Sequence, residues 1–124
     1  MEKIRTHKDL RVFQLSFELA MEIFELSKSF PIEEKYSLTD QIRRSSRSVP
    51  TNISEAFRKR RYPKSFVNKL IECDGEASET TVWLNLALDH SYINSDMHTG
   101  LISKYTEVSK MLNGMINAPE KFCT

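Results

Sequence analysis

One spacing pattern limits the fold of this chain more than any other. Between residues 66 and 91, apolar or small residues recur alternately four and three positions apart without a slip. The members of this heptad seam are Phe66, Leu70, Cys73, Ala77, Thr80, Leu84, Ala87 and Ser91. Such spacing is typical of a helix that packs along its whole length against other helices. Because the 124 residues include only three glycines and four prolines, turn signals for a many-stranded β fold are scarce. An all-α fold of long helices is predicted.

The first predicted helix, about residues 8–29, carries its polar residues on one narrow stripe. Between residues 10 and 26, eleven of seventeen residues are apolar, and the charged or amide side chains recur three or four positions apart. These polar residues are Arg11, Gln14, Glu18, Glu22 and Glu25. A helix that is apolar nearly all round is covered from more than one side, so we expect a neighbouring subunit here. The predicted interface residues are Phe13, Phe17 and Phe24.

Three further helices are predicted over about residues 33–61, 63–93 and 95–117, with no strand signal and no domain boundary. Pro50 lies inside the second, so we expect a kink or a break there, with nearby hydroxyls bonding freed backbone groups. Asn94 or Ser95 is a natural N-cap for the fourth helix. Because the connections are short, residues 1–124 are predicted to form one antiparallel up-down-up-down four-helix bundle.

Composition narrows the class of protein. No uninterrupted apolar run exceeds three residues, and the first ten residues lack the apolar stretch of a signal peptide. We therefore expect a soluble, cytoplasmic protein with no membrane partner. Cys73 lies on the heptad seam and is expected in the core, whereas Cys123 is expected to be an exposed free thiol.

Charge is concentrated in residues 41–64, termed the basic segment. It holds eight lysines or arginines and one acid, for a charge of +7, whereas the rest of the chain carries −6. The predicted nucleic-acid-binding residues are Arg43, Arg44, Arg47, Arg58, Lys59, Arg60, Arg61, Tyr62 and Lys64. Their cations would neutralise phosphates, and the tyrosine would stack on a base. Alternatively, the arginines pair with acidic helices of the same or a neighbouring subunit.

No constellation indicates catalysis or a cofactor. The third helix carries Glu72, Asp74, Glu76 and Glu79. A di-iron bundle needs Glu-x-x-His motifs on two helices, and the three histidines lack the paired spacing of a zinc site. The serines around Pro50 have no base in a recognisable arrangement. We expect no metal, no cofactor and no catalytic residue, and we interpret the acids as a solvated face or as partners for the arginines.

Two residues of the third helix have structural interpretations. Gly75 lies in mid-helix, where close packing of a partner helix would compensate its low helix propensity. Trp83 lies off the heptad seam and is expected to fill a gap between helices or to anchor a subunit contact.

Several motifs resemble those of one known family. Residues 7–14 (HKDLRVFQ) resemble its opening motif, residues 30–44 (FPIEEKYSLTDQIRR) and 48–55 (SVPTNISE) resemble its central signature, and residues 75–79 (GEASE) match a later glycine-containing motif. On these residues, nearly the whole chain resembles the four-helix-bundle family of 23S rRNA intervening-sequence proteins, also called ribosomal protein-like. The chain departs from the family pattern at Ser37 and Ala56, which replace usual glycines, and at residues 45–47, which are polar instead of apolar.

The resemblance implies an antiparallel four-helix bundle that assembles into a homopentamer. It also implies a link to nucleic acid, because founding members are encoded within segments that interrupt large-subunit rRNA genes. A distantly similar fold is the accessory variability determinant of diversity-generating retroelements, which contacts nucleic acid and a reverse transcriptase. Together with the basic segment, this favours a non-enzymatic oligomer that binds RNA or DNA at the junction of the second and third helices. The alternative is a protein-interaction scaffold with no nucleic-acid role.

Overall fold

The computed structural model describes residues 4–123, which form four helices and no strand. The helices are α1 (Arg11–Ser27), α2 (Leu38–Arg58), α3 (Pro63–Asp89) and α4 (Ser95–Asn117), and 3₁₀ turns lie at His7–Asp9, Ile32–Glu34 and Pro119–Lys121. Each helix packs against the next, and α4 packs against α1, so α1 and α3 are diagonally opposed. The predicted all-α bundle is confirmed, and the short connections are compatible with the antiparallel order. No helix in residues 4–123 is long and apolar enough to cross a membrane.

The heptad seam forms the inner face of α3. Seven of its eight predicted members, from Phe66 to Ala87, are buried. Ser91 is exposed because α3 ends at Asp89 and Ser91 adopts a left-handed φ of 62°. There the amide of Tyr92 donates to the Ala87 carbonyl at 2.8 Å, which closes the helix end.

Local capping makes the first two helices shorter than predicted. Asp9 accepts the backbone amide of Thr6 in a capping box, so a 3₁₀ turn occupies the predicted first turn of α1. The Glu34 carboxylate accepts the Ser37 hydroxyl at 2.6 Å and the Leu38 amide at 3.4 Å, so α2 begins at Leu38 and not near residue 33. The hydrogen bonds from the Ser37 hydroxyl and then from the Tyr92 hydroxyl, with a smaller effect of the Leu38 amide, hold the pKa of Glu34 below its ordinary value.

At its other end, α2 stops at Arg58 and not at residue 61. A turn follows in which the Tyr62 amide donates to the Lys59 carbonyl at 2.9 Å. This turn removes Arg60 and Arg61 from the helix and leads directly into α3.

Pro50 lies inside α2 without breaking it. The hydroxyls of Ser48 and Thr51 donate at 2.9 Å to the carbonyls of Arg44 and Arg47, which are not the group that Pro50 frees. The carbonyl that loses its amide donor to Pro50 is that of Ser46, which neither hydroxyl reaches. Because α2 runs without interruption from Leu38 to Arg58, the alternative of a break is wrong, and the kink stays a prediction.

Gly75 faces open space on the outer side of α3, with no atom within 4 Å of a Cβ added there apart from nearby residues of its own helix. Close packing of a partner helix at Gly75 is therefore excluded within the chain, and packing by a helix of another subunit stays a prediction. The expectation for the second cysteine is wrong. Cys123 is half-buried against the core and not an exposed thiol. Cys73 is buried as predicted, and burial raises the pKa of its thiol to about 12.

Candidate nucleic-acid interface

The turn after α2 gathers cations around a cavity of about 430 Å³, termed the basic pocket. Its walls include Arg5, His7, Phe57, Arg58, Arg60 and Arg61. Three of these arginines come from the basic segment, whereas Arg5 precedes the first 3₁₀ turn. Sequence reasoning missed Arg5. Residues 6–9 do carry a capping motif, but no pattern in the sequence indicates that this segment folds back against the end of α2.

Two of the four arginines are held by identified contacts. Arg60 Nε donates to the Phe57 carbonyl at 2.9 Å, and the guanidinium carbon lies 3.6 Å from the centroid of the Phe57 ring. Arg5 is held through its backbone, because its amide donates to Asp9 Oδ2 at 2.8 Å. The amides of Thr6 and Arg5 hold the pKa of the Asp9 carboxyl below its ordinary value, so this anchor stays ionised at neutral pH.

A second group of cations surrounds the ring of Phe24 on α1. The guanidinium carbons of Arg43 and Arg47 lie 4.6 and 5.2 Å from the ring centroid, and Lys28 Nζ lies 5.0 Å from it. Arg43 Nε also donates to the Ser27 hydroxyl at 2.8 Å. The structure therefore divides the predicted nucleic-acid residues into separate groups, with Arg43 and Arg47 facing α1 and away from the turn.

The remaining predicted residues are dispersed. Arg44 lies 4.0 Å from Asp40 of its own helix, and Lys59 is the exposed C-cap of α2. Tyr62 is 63% exposed at the N-cap of α3, where its ring is free to stack. Lys64 lines a different cavity, beside Pro119.

Most cations of the basic segment have no partner carboxylate. Of the eight lysines and arginines of the basic segment, only Arg44 has a carboxylate oxygen within 4.0 Å among residues 4–123. The one acid of the segment, Glu55, is paired instead with Lys69 of α3 at 2.8 Å, and Lys69 also contacts Glu72 at 3.0 Å. Pairing within the chain therefore does not account for the arginines.

The other acids of α3 have different surroundings. Asp74 accepts a hydrogen bond from the Ser109 hydroxyl of α4, and Glu76 and Glu79 lie close together. No group of three His, Cys, Asp or Glu side chains within residues 4–123 is arranged to hold a metal ion.

An apolar groove of about 680 Å³ separates the outer faces of α1 and α2. This α1–α2 groove is lined by residues that include His7, Phe13, Phe17, Met21, Phe24 and Pro50. Phe17 and Met21 are 51% and 57% exposed, whereas Phe13 and Phe24 are half-buried. All three aromatics predicted at a subunit interface thus line one open apolar surface. His7 borders both the groove and the basic pocket.

Fold and surface together define a four-helix-bundle protein with an unpaired cationic surface and an open apolar groove. The family model described as 23S rRNA-intervening sequence protein matches residues 8–114, and the chain belongs to this family. It is also similar to a solved structure of a protein of unknown function from the S23 ribosomal protein family of Bacteroides thetaiotaomicron. The two are 34% identical with a TM-score of 0.77, over 86% of this chain and 95% of that one. Among curated proteins, none matches the chain.

Proposed function

We propose that this chain is a non-enzymatic, self-assembling four-helix bundle that binds RNA or DNA through the turn between α2 and α3. The observation that carries the proposal is the unpaired charge of residues 58–61, four consecutive cations with no carboxylate within 4.0 Å in residues 4–123. Unpaired cations on a surface attract phosphates and release counterions when they bind. The family description, which refers to sequences that interrupt 23S rRNA, supports a nucleic-acid partner.

The nucleic-acid proposal is tested by comparing two charge-matched variants. Changing residues 58–61 to alanine should weaken binding of a structured rRNA fragment and flatten its salt dependence. The control removes four positive charges elsewhere, at Arg11, Lys104, Lys110 and Lys121. If both variants lose affinity equally, net charge and not this turn accounts for binding. Absence of wild-type binding at low salt would leave the scaffold function as the better proposal.

The self-assembly proposal rests on two apolar surfaces on diagonally opposed helices. One is the α1–α2 groove, with Lys28, Arg43 and Arg47 around Phe24 at one side. The other is an exposed line along α3, termed the α3 stripe. The stripe consists of Ile71, Gly75, Ser78, Val82 and Leu86.

Charge favours contact between the groove of one copy and the stripe of the next. The stripe is flanked by two exposed carboxylates, which are opposite in sign to the cations around Phe24. Glu79 has no cation within 4.0 Å in the described residues, whereas Glu72 also pairs with Lys69. Such a contact is head-to-tail, the only kind that closes a ring of more than two subunits around a single axis. A pentamer, the number that the family resemblance implies, requires an interface of this kind.

A protein-interaction scaffold is the second candidate function, and the α1–α2 groove favours it. Its volume of about 680 Å³ and its exposed aromatic rings would suit a helix or loop of a different protein. The two candidates differ in their salt dependence. Binding in an apolar groove changes little with salt, whereas binding of phosphates by arginines weakens steeply.

A further inference from the structure

We propose that the basic pocket binds a phosphate group of a nucleic-acid strand, and that Arg5 completes it. The inference rests on the proposed function and adds to it the chemical group that is bound, its location and a residue outside the basic segment. The observation behind it is that four arginines, from two distant parts of the chain, line one cavity.

Four like charges around one cavity favour the binding of an anion. The charges repel one another across the cavity, and no carboxylate in the described part of the chain lies within 4.0 Å of any of them. The carbonyl end of α2 attracts cations through the helix dipole, which explains the bond from Arg60 to the Phe57 carbonyl. It does not explain Arg5, which reaches the pocket from before α1.

Phosphate suits this pocket better than carboxylate does. A guanidinium presents a planar fork of N–H donors that matches two oxygens of a phosphate or a carboxylate. A carboxylate has two oxygens, so one or two forks saturate it. A terminal phosphate has three acceptor oxygens and roughly −1.5 to −2 charges at neutral pH, so it engages several forks at once. Nucleic acids offer this group as a terminal monoester. A backbone diester has one charge and two non-bridging oxygens, but diesters repeat along a strand, so neighbouring phosphates can share the four arginines.

Part of the pocket is ordered before any ligand binds. Stacking on Phe57 and the bond to the Phe57 carbonyl orient Arg60 and leave its terminal amino groups available. The Asp9 carboxylate fixes the backbone from which the Arg5 side chain extends. Ordering the donors in advance lowers the entropy cost of binding. Asp9 therefore acts as a positioning residue and does not line the pocket.

The first test compares Arg5→Ala with Arg11→Ala. Arg11 is another exposed arginine of the N-terminal part, but it pairs with Glu107 of α4 at 3.2 Å and does not line the pocket. We expect Arg5→Ala to weaken binding of a 12-nucleotide single strand about ten-fold and to lower the salt slope by about one, as for the loss of one phosphate contact. Arg11→Ala should change affinity less than two-fold. Fluorescence anisotropy over a salt series measures both. Equal effects of the two substitutions would overturn the inference.

The same strand with and without a 5′-phosphate identifies the source of the bound group. If the pocket takes the terminal group, the phosphorylated strand binds more tightly to the wild type, and Arg5→Ala removes that preference. If it takes a backbone phosphate, both strands lose affinity equally in Arg5→Ala. Either result supports the pocket.

Substitution of Asp9 separates positioning from net charge. Asp9→Ala removes a negative charge near the pocket, so charge alone predicts equal or tighter binding of an anion. Loss of the Arg5 anchor predicts weaker binding, with recovery in Asp9→Asn, which keeps an oxygen acceptor. Tighter binding by Asp9→Ala would contradict the positioning role.

Pyrophosphate distinguishes failure of the pocket from failure of the proposed function. If alanine at residues 58–61 abolishes strand binding while Arg5→Ala does not differ from Arg11→Ala, the pocket inference fails and nucleic-acid binding stands. If pyrophosphate shifts the amide resonances around Arg5 and Arg60 but no strand binds, the pocket stands and the nucleic-acid function fails. If neither ligand binds, both are wrong.

Discussion

Individual side chains of α3 show how burial changes their chemistry. Glu76 is half-buried, and burial raises the pKa of its carboxyl, an effect that the neighbouring Glu79 strengthens and Arg44 opposes. An acid with a raised pKa binds its proton more tightly in the folded protein than in the unfolded chain. Its stabilising contribution is therefore complete below the ordinary value of 4.5 and is lost as the pH rises through the raised value.

Glu76→Gln should therefore raise the thermal midpoint at pH 7 and leave it nearly unchanged at pH 4. The amide keeps the shape of the side chain and removes the charge that burial disfavours. Thermal unfolding followed by circular dichroism at both pH values measures the difference, with Glu18→Gln on the exposed stripe of α1 as the control. A shift of equal size at both pH values would indicate that packing, and not charge, is responsible.

Thr80 and Ser45 form a buried polar contact between α3 and α2. Their hydroxyl oxygens lie 2.8 Å apart, and both residues are buried. Thr80→Val and Ser45→Ala should each cost about 1 kcal/mol of unfolding free energy, because each removes the hydrogen bond between the two helices. The hydroxyl that remains keeps only a carbonyl of its own helix, that of Glu76 for Thr80 and that of Ile42 for Ser45. The double variant should be more stable than the sum of the two losses predicts, by about 0.5 kcal/mol or more. Urea unfolding of the four proteins measures this, and strict additivity would show that the hydroxyls do not interact.

Residues that follow a periodic pattern could be predicted from the sequence, and those joined across the fold could not. The heptad spacing predicts that Cys73 and Leu84 are buried, and they are. In contrast, Arg5 and Arg60 are 55 positions apart, and only the packed chain brings them to one pocket. The grouping of Arg43 and Arg47 around Phe24 likewise depends on the alignment of α1 with α2. The sequence shows that the basic segment carries many cations, but it does not show which of their side chains share a site.

Among the helices, α3 shows most clearly what a sequence pattern leaves undecided. Its inner seam has a heptad spacing, whereas its outer stripe contains Gly75 and two half-exposed residues, Ile71 and Val82. Cys73, Gly75 and Ala77 follow one another at intervals of two positions along α3. The first and last of these face the core, and the glycine faces outward. Residues two positions apart on a helix point to different sides.

Glycine-to-alanine substitutions test whether the outer face of α3 is free in solution. A Cβ added at Gly75, Gly100 or Gly114 has no neighbour within 4 Å apart from nearby residues and the helix backbone, so alanine should raise the unfolding free energy of one isolated chain by about 1 kcal/mol through helix propensity. Gly100→Ala and Gly114→Ala serve as controls in α4. If another copy packs against the α3 stripe, Gly75→Ala should also weaken the oligomer, as measured by sedimentation over a dilution series. An unchanged oligomer would indicate that no backbone approaches Gly75.

For the whole molecule, the question is how one bundle covers apolar surfaces on two opposite sides. Phe17 is 51% exposed in the groove and Val82 is 50% exposed on the stripe, so a charge at either position should leave the fold intact. Phe17→Glu blocks the groove, and Val82→Glu blocks the stripe. If the contact is head-to-tail, each variant should be monomeric by analytical ultracentrifugation, with a circular dichroism spectrum like that of the wild type.

Mixing the two variants gives the decisive result, because each keeps the surface that the other lacks. The intact stripe of Phe17→Glu fits the intact groove of Val82→Glu, so an equimolar mixture should form dimers with one functional interface and go no further. If groove met groove, Val82→Glu alone would assemble like the wild type, and mixing would add nothing. If each variant were monomeric alone and the mixture also contained only monomers, the groove and the stripe would not contact each other. Each such dimer would carry two basic pockets, whereas the assembled ring carries one pocket on every subunit. The dimers should therefore bind a long RNA more weakly than the wild type does.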